Sequence, residues 1–243
     1  MKQILLLIFL LIFSISLFGQ LSENFSDGDF TDNPTWQGDL NNFIVNADGE
    51  LQLNTSNADT SVLYTAVEIP DSTVWEMDLR MDFAPSNNNR LRIYLQSSTT
   101  NYPDVDGYFL EIGETGSTDQ LTLFRSDAGN KTEIAAATEG ALGNAPAIAK
   151  VKITRSKTGD WAIFANYDNG NVLNLEATAF DDTYLGGNLF FAFGCKNTST
   201  NSQAFFFDNI TITSLQPDVT PAAILQVTPI SLTELEVSFD EAM

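Results

Sequence analysis

TVWEMDLRMDFAPSNNNRLRIYLQSSTTNYPDVDGYFLEI, residues 73–112, carries the pattern that decides the fold. Trp75, Met77, Leu79, Met81 and Phe83 share one parity, and Glu76, Asp78, Arg80 and Asp82 share the other. A two-residue alternation means a strand with one face in a core and one in water. After the turn PSNNN at 85–89, Leu91, Ile93 and Leu95 alternate in the same way with Arg92, Tyr94 and Gln96. Two such runs across a short polar turn read as a long hairpin of a large antiparallel sheet. Its polar face gathers Glu76, Asp78, Arg80, Arg92, Tyr94 and Gln96, with Phe109 and Glu111 from a third strand, and is the first candidate for a functional surface.

Outward from this stretch, short alternating runs recur at 43–45, 50–53, 62–69, 108–112, 120–125, 132–136, 149–155, 161–166, 172–177, 189–195 and 204–213. They are separated by clusters of Asn, Asp, Gly, Ser and Thr, and no helical period intervenes. Parallel sheets need crossover helices, so the class is all-β and antiparallel. Residues 21–215 exceed an immunoglobulin-type module of about a hundred residues and suit one two-sheet jelly-roll sandwich. Trp75, Phe83, Phe191 and Phe193 fall on inner parities and fill the layer between the sheets, with Trp161 also read as core. Gly186-Gly187 and Gly194 read as bends or bulges.

The ends of the chain read differently. Lys2 followed by the apolar run 4–13 and small Gly19 reads as a secretory signal peptide over 1–19. QPDVTP at 216–221 is a stiff polar linker. Beyond it, 222–243 offers two strand-like runs, 224–227 and 234–239, too few residues for a core. They read as the opening hairpin of a second domain, with the sandwich at the start of a longer exported protein.

Composition excludes several functions. The chain has 11 Lys+Arg, 32 Asp+Glu and no His, a formal charge of −21. Such acidity repels nucleic acid and anionic lipid, so neither is expected as a partner, and the mature chain is not expected to enter a membrane. Without histidine there is no Ser–His–Asp or Cys–His catalysis and no His-bound zinc. The single Cys195, at core parity, reads as a small buried hydrophobe.

The succession WEMDLRMDFAPSNNNRLRIYL, GYFLEIGETGSTDQLTLFR, VKITRSKTGDWAIFA and FFFDNITI resembles an N-terminal concanavalin A-like or laminin G-like jelly-roll domain. Such domains occur in large secreted or surface proteins of Bacteroidetes-type bacteria, often with lamin-tail modules and a sorting signal for the gliding-associated secretion pathway. The resemblance spans 21–215. The tail DVTPAAILQVTPISLTELEVSFDEAM is similar to the start of a surface-layer-type Ig-like module, with Ala222 in place of a second proline and Asp240-Glu241 after Phe239. This superfamily hosts lectins, glucanases and inert spacers alike, so function rests on sites.

Three sites follow. On the polar strand face, planar polar groups beside aromatic rings suit sugar hydroxyls and apolar sugar carbons; the alternative is a solvated sheet with cross-strand ion pairs. Laminarinase-type glucanases carry Glu-x-Asp-x-x-Glu on one strand, and Glu76-Met77-Asp78 imitates its first half, but Met81 stands where the second acid belongs. The resemblance also implies a structural calcium ion where the first and last strands pair, with Asp208, and with them Asp27 and Asp29 beside Glu23, as ligands. The alternative for Asp208 is bonding to backbone amides at a bulge. The loop 102–107, YPDVDG, is a weaker cation candidate. Trp36 and Tyr102 lie in polar loops, where aromatics either stack on sugars or fold back over the core.

The resulting expectation is an exported, noncatalytic carbohydrate-binding or adhesion module, stabilised by calcium and facing polysaccharide or a cell-surface glycan, with downstream domains in the same polypeptide. A ligand-free spacer and a degenerate glycoside hydrolase are the alternatives.

Overall fold

The structure is a computed structural model that describes residues 21–116, 118–216, 223–231 and 233–239. The leader read at 1–19 and residues 217–221 of the linker lie outside the described residues. The strands are β1 (Leu21–Glu23), β2 (Trp36–Gly38), β3 (Phe43–Val45), β4 (Leu51–Leu53), β5 (Asp59–Ile69), β6 (Thr73–Met81), β7 (Arg90–Ser97), β8 (Gly107–Ile112) and β9 (Thr122–Asp127). They continue with β10 (Asn130–Ala136), β11 (Ala147–Arg155), β12 (Asp160–Asn166), β13 (Asn174–Phe180), β14 (Gly187–Asn197), β15 (Phe205–Ser214), β16 (Ile224–Ser231) and β17 (Glu234–Phe239).

Two antiparallel sheets form the sandwich. The eight-stranded sheet runs β13-β12-β11-β6-β15-β4-β3, with β1 also on β15, and the seven-stranded sheet runs β10-β9-β8-β7-β14-β5-β2. The chain crosses between sheets repeatedly, as a jelly roll requires. The expected pairing of first and last sandwich strands is present, with Leu21 opposite Ile212 and Glu23 opposite Ile210.

The core parities of 75–83 and 91–95 hold, but the opening hairpin does not. β6 pairs with β11 and β15, whereas β7 pairs with β8 and β14 in the opposite sheet. The 82–89 turn is therefore an arch over the core rather than a hairpin loop. Alternation specifies which face of a strand is buried, and an arch buries the same parities as a hairpin. Pairing partners depend on which strands close the sheets from elsewhere in the chain.

The layer between the sheets is largely aromatic. Trp75 stacks on Trp161 at 5.7 Å, Phe193 stacks on Phe207 at 4.0 Å, and Trp36 stacks on Phe193 at 5.7 Å. Trp36 is buried, so of its two readings the core one holds. Cys195 is buried in the same layer, and burial pushes its thiol pKa up, which keeps it inert. Gly186 precedes β14 where a Cβ would lie 2.1 Å from the Ile69 carbonyl oxygen, and Gly187 has φ +146°, so the bend read at this pair is real. β16 and β17 pair with each other as a two-stranded sheet, and Ile224, Leu225 and Leu235 on them are exposed. Among the described residues no helix is long and apolar enough to cross a membrane.

Candidate functional site

The arch divides the candidate residues between opposite outer faces. Glu76, Asp78 and Arg80 lie on the eight-stranded sheet and Arg92 and Tyr94 on the seven-stranded one, so the six do not form one surface.

On the eight-stranded sheet, local ion pairs and, for Asp78, a hydrogen bond from the Asn209 side chain at 2.9 Å account for the polar row. Glu76 and Asp78 face Lys152 and Lys150 across β11, with Lys152 Nζ 3.8 Å from Glu76. Arg80 donates to Glu50 at 2.6 Å and to Asp82 at 2.7 Å while lying 3.6 Å over the Phe206 ring. Met81, where a second glucanase acid would stand, is buried on the core side. This face is a solvated, paired sheet surface.

Gln96 requires a correction. A register shift between Tyr94 and Gln96 turns both Leu95 and Gln96 inward. Gln96 is 1% exposed, and its carbonyl accepts from the Arg155 guanidinium between the sheets. A bulge of this kind reverses the parity downstream of it, and nothing in the sequence alternation marks it.

The acids assigned to calcium do not converge. The Asp27 carboxylate accepts from the Asp29 amide, and Asp29 accepts from the Thr31 amide and hydroxyl, closing local turns. Asp208 sits at a bulge of β15 opposite Asp78 and accepts from the amide of Asn209, whose φ is +52°. That is the backbone-bonding alternative for Asp208. Burial, with Asp78 and Glu50 nearby, holds its pKa above the usual carboxylate value. Among the described residues no three His, Cys, Asp or Glu side chains gather as a metal site, the 102–107 loop included. Asp106 instead accepts from the Ala128 amide, which ties that loop to the β9–β10 turn. The residues present do not fit a calcium ion at the chain ends.

The seven-stranded face holds a different arrangement. Tyr94, Phe109, Phe124, Val105 and Ala192 form an outer apolar cluster, against which Val62, Tyr64 and Tyr102 pack. Tyr102 lies 4.5 Å from Tyr94 and 6.2 Å from Tyr64, and its hydroxyl bonds Ser97 at 2.7 Å. The loop aromatic thus folds onto the outside of the sheet, and burial raises its pKa. Beside it opens a cavity of about 530 Å³ lined by Asp39, Tyr64, Arg90, Arg92, Tyr94, Tyr102, Gly194 and Lys196, among others. That volume lies in the range of small-ligand sites, roughly 300–1,000 Å³.

Strand pairing explains the cavity floor. Gly194 on β14 pairs with Arg92 on β7, and a Cβ there would meet the Tyr94 ring at 3.3 Å. Gly194 lies in regular pairing with β5 and β7 and is not a bulge; the register shift against β7, where β7 carries the extra residue, falls between Phe190 and Ala192. Glu111, 1% exposed, organises the cations behind the cavity. It accepts from Arg92 and Lys131 at 2.6 Å each, with Arg90 Nε at 3.6 Å. Burial works against its charge, but Lys131 and the two arginines outweigh it and hold its pKa below the usual range. Arg92 also lies 4.9 Å from the Phe109 ring centroid.

Arg92, Tyr94 and Tyr102 from the sequence reading therefore meet in one place. Arg90, Lys196, Tyr64 and Gly194 were missed. Their signal was legible: the outward parity of β14 reads Phe190, Ala192, Gly194, Lys196, two small residues before a cation, which leaves a trough. The cavity can place guanidinium donors and ring faces around a polar ligand.

No protein-family description matches the sequence of this chain, and no curated protein sequence matches it significantly. Solved structures do match in fold. The Emp47p carbohydrate recognition domain is 11% identical, with a TM-score of 0.61 over 80% of this chain and 94% of that one. The VIP36 exoplasmic/lumenal domain in its Ca2+/Man2-bound form is 11% identical, with a TM-score of 0.59 over 92% and 97%. Lectin UEA-II complexed with galactose is 12% identical, with a TM-score of 0.58 over 81% and 98%. The chain shares the two-sheet jelly-roll sandwich fold of these three structures.

Proposed function

We propose that this protein is a noncatalytic carbohydrate-binding or adhesion module, with Arg90, Arg92, Tyr94, Tyr102 and Lys196 around its binding site. The observation that carries the reading is the cavity on the outer face of the seven-stranded sheet, where three tyrosines and two arginines converge over Gly194. Rings cover apolar sugar carbons and guanidinium forks bind oxygens, and the fold is one that carries carbohydrate sites in its structural neighbours. The wider setting belongs to the same proposal. Export by the leader at 1–19 rests on its residue pattern, and a place at the start of a longer secreted or cell-surface multidomain protein, with an Ig-like module opening at 222, rests on sequence resemblance. No ion at the chain ends is part of it.

The test is retention on a glycan array and on immobilised polysaccharides, using the mature chain and Gly194→Val. Valine narrows the trough without touching a charge. Saccharide hits that disappear in Gly194→Val, at an unchanged thermal midpoint, support the site. Hits that survive the substitution move the site elsewhere, and silence across both arrays favours a ligand-free spacer.

A further inference from the structure

The charge around the cavity runs against the rest of the molecule. The chain carries 32 acidic against 11 basic residues, yet Arg90, Arg92 and Lys196 line one cavity with Asp39 as its only acidic lining residue. Arg90 and Lys196 are direct cross-strand partners. Like charges set directly opposite each other destabilise a sheet, and with this many carboxylates in the chain an opposite-charge pair would be the expected solution. The Lys196 ammonium is met by the backbone carbonyl of Asn87 at 2.9 Å, not by a carboxylate. Arg90 reaches Asn87 Oδ1 at 3.3 Å and stands 3.6 Å from Glu111 Oε2, in a carboxylate that Arg92 and Lys131 already hold at 2.6 Å each. Asp39 itself is engaged by the Val62 amide at 2.7 Å. Burial and the Arg92 charge together disfavour the charged form of Arg90, as expected of a cation short of a counter-charge.

From this juxtaposition of under-compensated cations and tyrosine rings, we infer that the cavity takes a saccharide bearing anionic groups, a uronate carboxylate or a sulfate. The inference rests on the carbohydrate reading and names its ligand class. The anion adds counter-charge to Arg90, which shares Glu111 with two other cations, and to Lys196, bidentate on the guanidinium, while the sugar ring lies against Tyr94 and Tyr102. The acidity of the whole chain does not forbid this. At physiological ionic strength charges beyond about 8 Å are largely screened, so the two cations at contact outweigh distant carboxylates. A neutral sugar would leave the like-charged pair unrelieved.

The experiment compares polygalacturonate, a sulfated galactan and neutral mannan and laminarin in affinity electrophoresis at physiological salt. The full mature chain, Arg90→Gln, Lys196→Gln and Lys196→Arg are each tested, with thermal midpoints recorded. The inference expects retardation by a charged polymer only, weakened at least tenfold in each Gln variant, preserved in Lys196→Arg and lost as salt rises. Which charged polymer retards the chain separates carboxylate from sulfate. Retardation by neutral polymers that is indifferent to the Gln variants overturns the anionic assignment and leaves the carbohydrate reading standing. No retardation by any polymer overturns both.

Discussion

Arg155 provides the sharpest test of how the interior is built. Its side chain is 1% exposed between the sheets, 5.6 Å from the Trp75 ring and 5.5 Å from the Trp161 ring. It donates to the Gln96 side-chain carbonyl and to the backbone carbonyls of Pro70 at 2.9 Å, Tyr184 at 3.1 Å and Asp71 at 3.2 Å. All four partners are neutral, and burial pulls the guanidinium pKa down to about 10. Arg155→Met keeps most of the apolar stem and removes every donor. If only two of the four acceptors are left unpaired, at about 1.5 kcal/mol each, the loss is about 3 kcal/mol. For a domain of 150–250 residues that is a fall of roughly 6–12 °C in Tm. Gln96→Leu should cost about 1–2 kcal/mol by stranding one donor, and the double variant should cost less than the sum of the singles. Circular dichroism melts and urea titrations of the four proteins measure this. A melt of Arg155→Met within 2 °C of the parent would mean that water reaches the guanidinium, and would refute the inward placement of Gln96. So would a Gln96→Leu variant that loses glycan retention at unchanged stability.

Further outcomes follow from the same structure. Glu111 has a depressed pKa in the folded state, so its contribution is complete above the ordinary carboxylate value of 4.5 and is lost as pH falls through the folded value. Melts of Glu111→Gln should be lower than the parent at pH 7 and converge on it in acid; parallel curves at all pH values would contradict the Lys131 and Arg92 pairing. Because Asp27, Asp29 and Asp208 stay apart, a chelator should leave the thermal midpoint within 1–2 °C on the scale of about 2–4 °C per kcal/mol. A fall of 5 °C or more, restored by calcium, would overturn that. Trp36→Ala should cost about 3–5 kcal/mol in urea unfolding, since the ring stacks on Phe193 in the core. A variant of full stability would place Trp36 outside the core.

The sequence made the inner faces legible and left the pairing hidden. Trp75 to Phe83 and Leu91 to Leu95 were assigned to the core correctly, because burial selects one parity and the apolar residues record it. That β6 and β7 belong to different sheets was not recorded, because an arch and a hairpin leave the same alternation. The consequence for the site was large: three of its six face residues went to the opposite side of the molecule. Gln96 was lost to a one-residue bulge in β7, where Tyr94 and Gln96 oppose the consecutive Phe109 and Tyr108 of β8. Trp36 sits amid polar residues and still reaches the core, since one large ring outweighs its flanking loop. Tyr102 and Tyr94 were named without the contact between them, which depends on the fold of the 98–107 loop over the sheet.

The central claim is that saccharide binds on the seven-stranded face, and calorimetric titration of one retained saccharide into two double variants tests it most directly. Arg90→Gln/Lys196→Gln alters the cavity, and Lys150→Gln/Lys152→Gln removes the same charge from the opposite sheet. The account predicts affinity lost by tenfold or more in the first and within twofold of the parent in the second. Equal losses in both, or a loss confined to the second, would contradict it.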